Sequence, residues 1–296
     1  MGIPTYTRSK FRFAKRMLWH RLHRQPCICP YCGPSSSVRF LTRKKFIIDI
    51  LECTNCELIF RWPQDTEIEL RRHYQDQYAE DAPQVHLPNP RDLPALKTDN
   101  FVSLFGPDLD YKMGVLKTIR SAGRILDFGC SWGYATYLMR QNGYSASGFE
   151  VSMPRAAFAR EHLDVPVIDS VEALAALPNE SFDIIYSNHV LEHLPSIGRV
   201  LASFARLLKP DGIAIHILPN FSGKARRTGL WLEWIGEDHP IAPSVDFFKK
   251  ALPAAGLSRF AFVSTPLDER AIASVTGRSD QVPQLDGDEL LIVAQK

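Results

Sequence analysis

The stretch Arg124–Glu150, RILDFGCSWGYATYLMRQNGYSASGFE, constrains the fold more than any other part of the chain. An apolar run, Arg124 to Phe128, stops at Gly129-Cys130-Ser131-Trp132-Gly133. A helix-length segment, Tyr134 to Gln141, follows and ends at Asn142-Gly143. A second apolar run, Ala146 to Phe149, ends on the acid Glu150. Strand, glycine turn, helix, strand and acid in this order make the first half of a nucleotide-binding α/β unit. Glycine lets backbone and ligand approach where a Cβ would collide. A carboxylate at the end of the second strand can accept hydrogen bonds from both hydroxyls of a ribose.

The turn differs from the pyrophosphate cradle G-x-G-x-x-G. Asp127 stands just before the first glycine, where an acid suits a cationic ligand and repels a phosphate. Asp127-x-Gly129-Cys130-Ser131-x-Gly133 resembles the first motif of the class I S-adenosylmethionine (SAM) methyltransferases, whose usual form is D-x-G-C-G-x-G. Ser131 replaces the middle glycine and is small enough to leave room for the ligand's amino-acid end. The resemblance implies a Rossmann-like α/β fold with a mostly parallel, seven-stranded sheet whose last strand is antiparallel. It also implies SAM as cofactor, with Asp127, Phe128, Gly129, Cys130 and Gly133 at the amino-acid end and Glu150 and Val151 at the ribose. Asp169 and Ser170, ending the third strand, fall where this family contacts the adenine, and Asn188 completes the expected cofactor set.

With 296 residues the chain is long enough for about two domains and a sizeable core. No run of about eighteen apolar residues occurs, so no transmembrane helix is expected. The basic N-terminus lacks the apolar stretch of a secretory signal, which makes the cytoplasm the expected location. The net charge of +2 hides an asymmetry: residues 1–45 carry eleven Lys or Arg and no acid, and the remainder is acidic. An acidic body argues against a stable nucleic-acid partner.

Four of the six cysteines fall in two pairs, Cys29-x-x-Cys32 and Cys53-x-x-Cys56. Without a secretory signal this spacing reads as a metal site before it reads as disulfides. Four thiolates would close a tetrahedral Zn²⁺ site with no open position, so the role is structural. Strand-like runs Val38–Leu41 and Phe46–Leu51 bring the second knuckle onto the first. Cys27 could stand in for Cys29, but the two-residue spacing favours Cys29; four buried reduced thiols are the plain alternative. Before the knuckles, residues 8–24 mix Arg and Lys with Phe11, Phe13, Met17, Leu18, Trp19 and Leu22, and on a helix Met17, Leu18 and Leu22 share part of one face. Such a segment either packs on its own protein or makes weak contact with an anionic membrane surface. The first reading is preferred.

A cysteine module, an apolar strand, a proline, a short helix and a Tyr74-x-x-x-Tyr78 pair leading into a methyltransferase domain is similar to a bacterial family. Those proteins join an N-terminal zinc-binding domain to a SAM methyltransferase domain, and some resemble C-methyltransferases of nucleotide-linked deoxysugars. The implied organisation is a basic arm (1–26), a zinc-ribbon-like domain (27–62), a helix and linker or lid (63–100) and the methyltransferase domain (101–296). In that layout Tyr74 and Tyr78, four apart on one helix face, are candidates to face the acceptor, with Tyr78 foremost, or else simply pack.

Within 101–296, strands and helices alternate, as expected of a parallel sheet covered by helices. The expected elements are a helix around 111–121, then a helix over 151–163, a strand over 165–168, a strand over 182–187, a helix over 197–208 and a strand over 213–218 after the turn Lys209-Pro-Asp-Gly212. The fourth strand runs into Asn188-His189-Val190-Leu191-Glu192-His193, a V-L-E-H segment that also resembles small-molecule methyltransferases. His193 is the foremost general-base candidate because an imidazole titrates near neutrality; His189 and Glu192 stand beside it. Related quinone O-methyltransferases are associated with a divalent ion near this segment, which opens that role to Glu192 and His193. His216, inside an apolar strand, reads as core. The insertion 221–243 offers Arg226, Arg227, Trp231 and Trp234 to a phosphate and a ring, against a solvated loop with core-anchored tryptophans.

These residues lead to a transferase that methylates a small-molecule acceptor, a sugar or glycan precursor being one class, on carbon or oxygen. Three other readings stand beside it: an RNA methyltransferase with a zinc module, a non-catalytic SAM-binding interaction protein and a dinucleotide enzyme. The acidic body and the lack of an Asn-Pro-Pro-Tyr-type motif after the fourth strand weigh against the RNA reading. Asp127 and the missing phosphate loop disfavour the dinucleotide reading.

Overall fold

The computed structural model describes residues 5–34, 36–77, 86–277 and 284–296, so Tyr78 lies outside the described residues. Among those described, the strands form two sheets. The larger contains β4 (Arg124–Phe128), β5 (Ser145–Phe149), β6 (Val167–Ile168), β7 (Phe182–Asn188), β8 (Leu208–Pro219), β10 (Arg259–Ser264) and β11 (Glu289–Gln295). Their order is β10-β11-β8-β7-β4-β5-β6. Pairs from β6 to β8 are parallel, while β11 runs antiparallel to both β8 and β10. This is the Rossmann-like class I sheet that the glycine motif implied.

Continuous apolar runs such as Ile213–Leu218 form these strands because helices cover both faces of the sheet. One apolar cluster, including Phe128, Phe149, Leu201, Phe204, Phe247 and Phe248, fills one side. A second, built on Leu116, Ile125, Trp132, Met139, Ile184 and Ile215, fills the other. His216 is fully buried, bonded to Ser187 Oγ at 2.8 Å, and burial pushes it down to about 3. It is a core residue, as read from the sequence.

Several boundaries move for local reasons. The helix expected from 151 begins at Met153, because Glu150 Oε1 accepts the Ser152 N–H at 2.8 Å and holds the chain extended there. The third strand shrinks to Val167–Ile168. The Lys209–Gly212 turn is absorbed into β8 as an irregularity, with a register shift opposite Phe182–Ile184. The expected helix near 111–121 appears as Val102–Phe105 and Asp108–Ile119.

The smaller sheet runs β1 (Val38–Lys44), β2 (Ile48–Cys53), β3 (Ile59–Trp62) and β9 (Ile241–Ala242), all antiparallel. Its fourth strand comes from the insertion after β8, so the two parts of the chain share a sheet. The same insertion corrects the ring-and-phosphate reading. Arg226 donates to Glu52 at 2.8 Å and lies over Trp231, and Arg227 donates to Asp286 at 2.9 Å. Both guanidiniums therefore have carboxylate partners, and Trp231 is buried.

The helix Thr5–Leu22 packs on this sheet. Phe13 and Met17 join Ile48, Ile50, Ile59, Phe221 and Trp231 in a third apolar cluster. Arg16 and Arg61 converge on Asp65, His20 meets Glu69 at 2.9 Å, and Arg21 meets Asp49 at 3.1 Å. The arm is thus fastened to its own protein. Met17 is buried while Leu18 and Leu22 are exposed, so the three do not share a face. No helix of the described residues is long and apolar enough to cross a membrane.

Candidate active site

The carboxyl ends of β4 and β5 carry the two acids. Between them the loop turns through three left-handed residues, Gly129 (φ 82), Ser131 (φ 53) and Gly133 (φ 86). A Cβ at Gly129 would lie 2.5 Å from a Val190 methyl, and one at Gly133 would lie 2.8 Å from Ala159 Cβ. Glycine is therefore needed both for the turn and for the close packing of the neighbouring segments. Ser131 tolerates its backbone angle with its hydroxyl accepting a 2.6 Å bond from Arg155.

Asp127 is buried and accepts a 2.6 Å bond from Thr136. Burial pushes its carboxyl up to about 7, against the Thr136 bond and with help from the charge on Glu150. Glu150 is also buried and raised by burial; its oxygens accept the backbone N–H groups of Ser131 at 3.0 Å and Ser152 at 2.8 Å. A buried acid held near neutrality is set to gain a cation. Nearby, Asn188 Oδ1 and Trp132 Nε1 are buried atoms with no hydrogen-bond partner among the described residues. Unpaired buried polar atoms are costly, which fits a polar ligand over this loop.

The other expected cofactor residues occupy distinct positions. Phe128 stacks on Phe149 in the core, and Cys130 is buried, so they offer the loop their backbone. Asp169 is paired with Arg160, and Ser170 caps the helix Val171–Ala175. The Val151 carbonyl accepts from Gln75 Nε2 at 2.5 Å, and Gln75 Oε1 accepts from Met153 N at 3.1 Å. Gln75, in the π-helical turn His73–Gln77, thus clamps the N-terminal part onto the loop after the ribose acid.

At the end of β7 the catalytic candidates come together. His189 takes a left-handed backbone (φ 53) before the short 3₁₀ turn Leu191–His193. Glu192 is fully buried, and neither carboxylate oxygen has a well-aligned hydrogen bond among the described residues. Around its Oε1 stand His189 Nδ1 at 3.3 Å, His193 Nε2 at 3.8 Å and His239 Nε2 at 4.0 Å. Burial opposes its ionisation, but the imidazoles outweigh it and hold the carboxyl below its ordinary value.

Two of those rings are pinned by their other nitrogen. His193 Nδ1 donates to the Asp238 carbonyl at 2.7 Å, and His239 Nδ1 donates to the Trp234 carbonyl at 2.9 Å. The Nε2 atoms of both rings therefore face the Glu192 carboxylate. Burial pushes His239 down to about 4. His189 differs: burial works against its charge, but Glu192 and Glu289 outweigh it and lift it to about 9. Its Nε2 sits 2.6 Å from Glu289 Oε1, which Lys112 also contacts at 2.7 Å. Despite its own burial, Glu289 is drawn down to about 2 by these two cations. His189 is an ion-paired strut, while His193 turns its Nε2 to Glu192 and the site.

His193 opens into a cleft lined by Arg16, His73, Tyr74, Glu237 and Asp238. The sequence singles out His239 only as matching a recurrent histidine of the resembled family, without a role, and the fold brings it to Glu192. Gln75, Lys112 and Glu289 have no local motif to mark them; each reaches the site through long-range packing.

The four paired cysteines also converge. Cys29 Sγ lies 3.6 Å from Cys56 Sγ, and Cys53 Sγ 3.8 Å from Cys32 Sγ. All four sulfurs lie within 4.8 Å of one another. The first knuckle turns on Gly33 (φ 79) and the second on Glu57 (φ 64). Cys27 is exposed and stands outside the group. The four cysteines are positioned to bind a metal.

Comparison with known proteins follows the same lines. The Thiobacillus denitrificans ubiquinone biosynthesis O-methyltransferase is 34% identical over 109 residues, covering 34% of this chain and 47% of that protein. The Nitrosococcus oceani protein of that name is 35% identical over 109 residues, covering 34% and 46%. The chain thus spans just under half the length of these relatives. A solved Thermotoga maritima structure, described as a SAM-dependent methyltransferase and possible histamine N-methyltransferase, aligns with TM-score 0.49 and 18% identity, over 69% of this chain and 96% of that one. The family profile described as a methyltransferase domain matches residues 104–259, more than half of the chain and the whole of the region that carries both acids and the histidine cluster. The chain belongs to this methyltransferase-domain family.

Proposed function

We propose that this protein is a SAM-dependent methyltransferase acting on a small hydroxylated acceptor. The observation that carries the reading is the pair of buried acids, Asp127 and Glu150, at the ends of adjacent parallel strands on either side of a left-handed glycine loop. Asp127 offers a counter-charge to the ligand's ammonium end. Glu150 accepts from the ribose hydroxyls with the lone pairs that its backbone donors leave free. The orphaned Asn188 Oδ1 can take a donor on the ligand's other side.

Bound SAM supplies a methyl group already activated on a sulfonium sulfur. The chain's part is to position the acceptor, exclude water and remove a proton. The Nε2 of His193 accepts the acceptor's hydroxyl proton. The Asp238 carbonyl fixes that ring's tautomer, and Glu192 offsets the imidazolium charge as it forms. The cleft sets Arg16, His73, Glu237 and Asp238 among Leu70, Tyr74 and Pro240, so it offers polar partners to the hydroxyls of an acceptor such as a sugar or glycan precursor and apolar surface to its ring. The relatives' printed name supports oxygen as the methylated atom and makes a quinol the competing acceptor.

A second reading of the histidine cluster has its own support. Glu192 Oε1, His193 Nε2 and His239 Nε2 converge while both Nδ1–H groups are tied to backbone carbonyls, the arrangement that orients metal-bound imidazoles. A divalent ion there would polarise the acceptor hydroxyl as a Lewis acid. For the cysteine cluster we propose structural zinc. Tetrahedral bonds of about 2.3 Å place sulfurs about 3.8 Å apart, close to the separations found.

The test is release of S-adenosylhomocysteine from SAM with sugar nucleotides and, separately, with quinols. His193→Ala should lower turnover about 10²- to 10⁴-fold while SAM binding stays intact. A protein that binds no SAM would overturn the reading. Turnover that disappears with EDTA and returns with a divalent ion would select the metal over the free base.

A further inference from the structure

The helix Thr5–Leu22 carries two apolar stripes. Phe13, Met17 and His20 form the buried one. Successive residues turn by about 100°, so Phe11, Lys15, Leu18 and Leu22 form a second stripe on the opposite side. There Phe11 is 74% exposed, Leu18 45% and Leu22 70%, with Trp19 at its edge 55% exposed. A helix that merely caps its own protein has no use for this second stripe.

A second exposed group lies beside it. The β1–β2 hairpin turns through Lys45 (φ 50) and Phe46 (φ 62). Two consecutive left-handed residues are the place for Asn or Gly, and a bulky aromatic is disfavoured there. Phe46 is nonetheless 91% exposed, flanked by Lys44 and Lys45. Lys44 and Lys45 line one cleft with Lys10, Phe13 and Ala14, so the hairpin tip lies next to the first half of the helix; Lys44 is held there by the Leu232 and Ile235 carbonyls, each at 2.7 Å.

The charges decide what would cover this surface. Of the acids of neighbouring elements, Asp49, Asp65 and Glu69 take Arg21, Arg16 and His20 at the helix's inner side, and Glu233, Glu237 and Asp238 line the cleft between helix and hairpin. Residues 1–45 contain no acid at all, so the exposed aromatic and aliphatic side chains stand among Arg12 and Lys15 of the helix and Lys45 of the hairpin, all exposed. We propose that this helix and the Phe46 hairpin form a docking face for an anionic bilayer surface, with the apolar side chains entering the interface and the cations meeting the headgroups. Bulky apolar residues at the centre of the cationic face favour a bilayer over nucleic acid, which would be met by phosphate-binding cations alone.

The test is co-sedimentation of the full chain with vesicles of phosphatidylcholine alone or mixed with phosphatidylglycerol. The wild type should bind the anionic vesicles about tenfold or more tighter than the neutral ones at low salt. The variant Phe11→Ser/Leu18→Ser/Leu22→Ser should lose that binding, and so should Phe46→Ser in part; these side chains are exposed, and an unchanged melting temperature checks the fold. Lys15→Glu/Lys45→Glu, which leaves the apolar stripe in place, should remove the preference for anionic vesicles. Equal sedimentation of the wild type and the triple serine variant would overturn the proposal. So would absence of binding, or tighter binding to duplex DNA or RNA that the serine changes leave untouched.

Discussion

At the scale of single residues, Asp127 links the geometry to a measurable pH dependence. Its ordinary carboxyl value is 3.8, and burial raises it to about 7. Between those values the unfolded chain has lost the proton while the folded one keeps it. Stability of the ligand-free protein therefore falls as pH rises through this window and levels off above about 7. An ammonium group beside Asp127 favours the ionised form, so SAM affinity should rise by up to about tenfold per unit as pH increases towards 7 and then flatten. Calorimetric titration across that range checks it, and Asp127→Asn should bind weakly with no slope. A flat wild-type profile would remove Asp127 from the ammonium site. In Glu150→Ala, loss of charge-assisted bonds of about 1.5–3 kcal/mol each should weaken binding at least tenfold; unchanged affinity would end its assignment to the ribose. These acids were readable in the sequence because spacing alone put them at strand ends. His239 was noticed only through its match to a recurrent family histidine; its place beside Glu192 was not legible, because the two lie on different elements and only the folded insertion brings them within 4.0 Å.

At the scale of elements, the alternation of strands and helices was legible because each buried strand is a run of apolar residues flanked by turn formers. The smaller sheet was only partly so. Nothing in Ile241–Ala242 signals pairing with Ile59–Phe60, since two residues carry no periodicity. That pairing matters for the cysteine cluster. Cys29, Cys53 and Cys56 belong to the same apolar cluster as Phe60, Leu191 and Ile197, which flank the Glu192–His193 turn. The cysteine cluster and the Glu192–His193 turn are thus supported by one core. Cys53→Ser should release the metal, lower the melting temperature and reduce turnover together, because losing a structural metal site removes folding free energy. Elemental analysis, a thermal melt and an activity assay on the same sample decide it. Full activity at an unchanged melting temperature would show that the cluster stabilises nothing near the site.

At the scale of the whole molecule, the candidate site is a seam. One side is the turn after β7 with His193, another the N-terminal helix with Arg16, a third the turn carrying His73 and Tyr74, and the insertion adds Glu237 and Asp238. Gln75 of that turn holds the seam at the cofactor end through one bond given to the Val151 carbonyl and one accepted from Met153 N. Two neutral hydrogen bonds are worth about 1–3 kcal/mol together. They fasten the chain just after Glu150, where a ligand's ribose would lie. Gln75→Ala should therefore weaken SAM binding about five- to a hundredfold through faster dissociation, while the melting temperature barely moves. Gln75→Glu keeps the acceptor for Met153 but sets a carboxylate against the Val151 carbonyl, so it should resemble the alanine variant. Gln75→Asn retains both groups on a shorter arm and should fall between them and the wild type. Stopped-flow measurement of SAM release separates these outcomes. If all three variants release SAM at the wild-type rate, the turn only packs against the catalytic sheet, and the seam closes without regard to the cofactor.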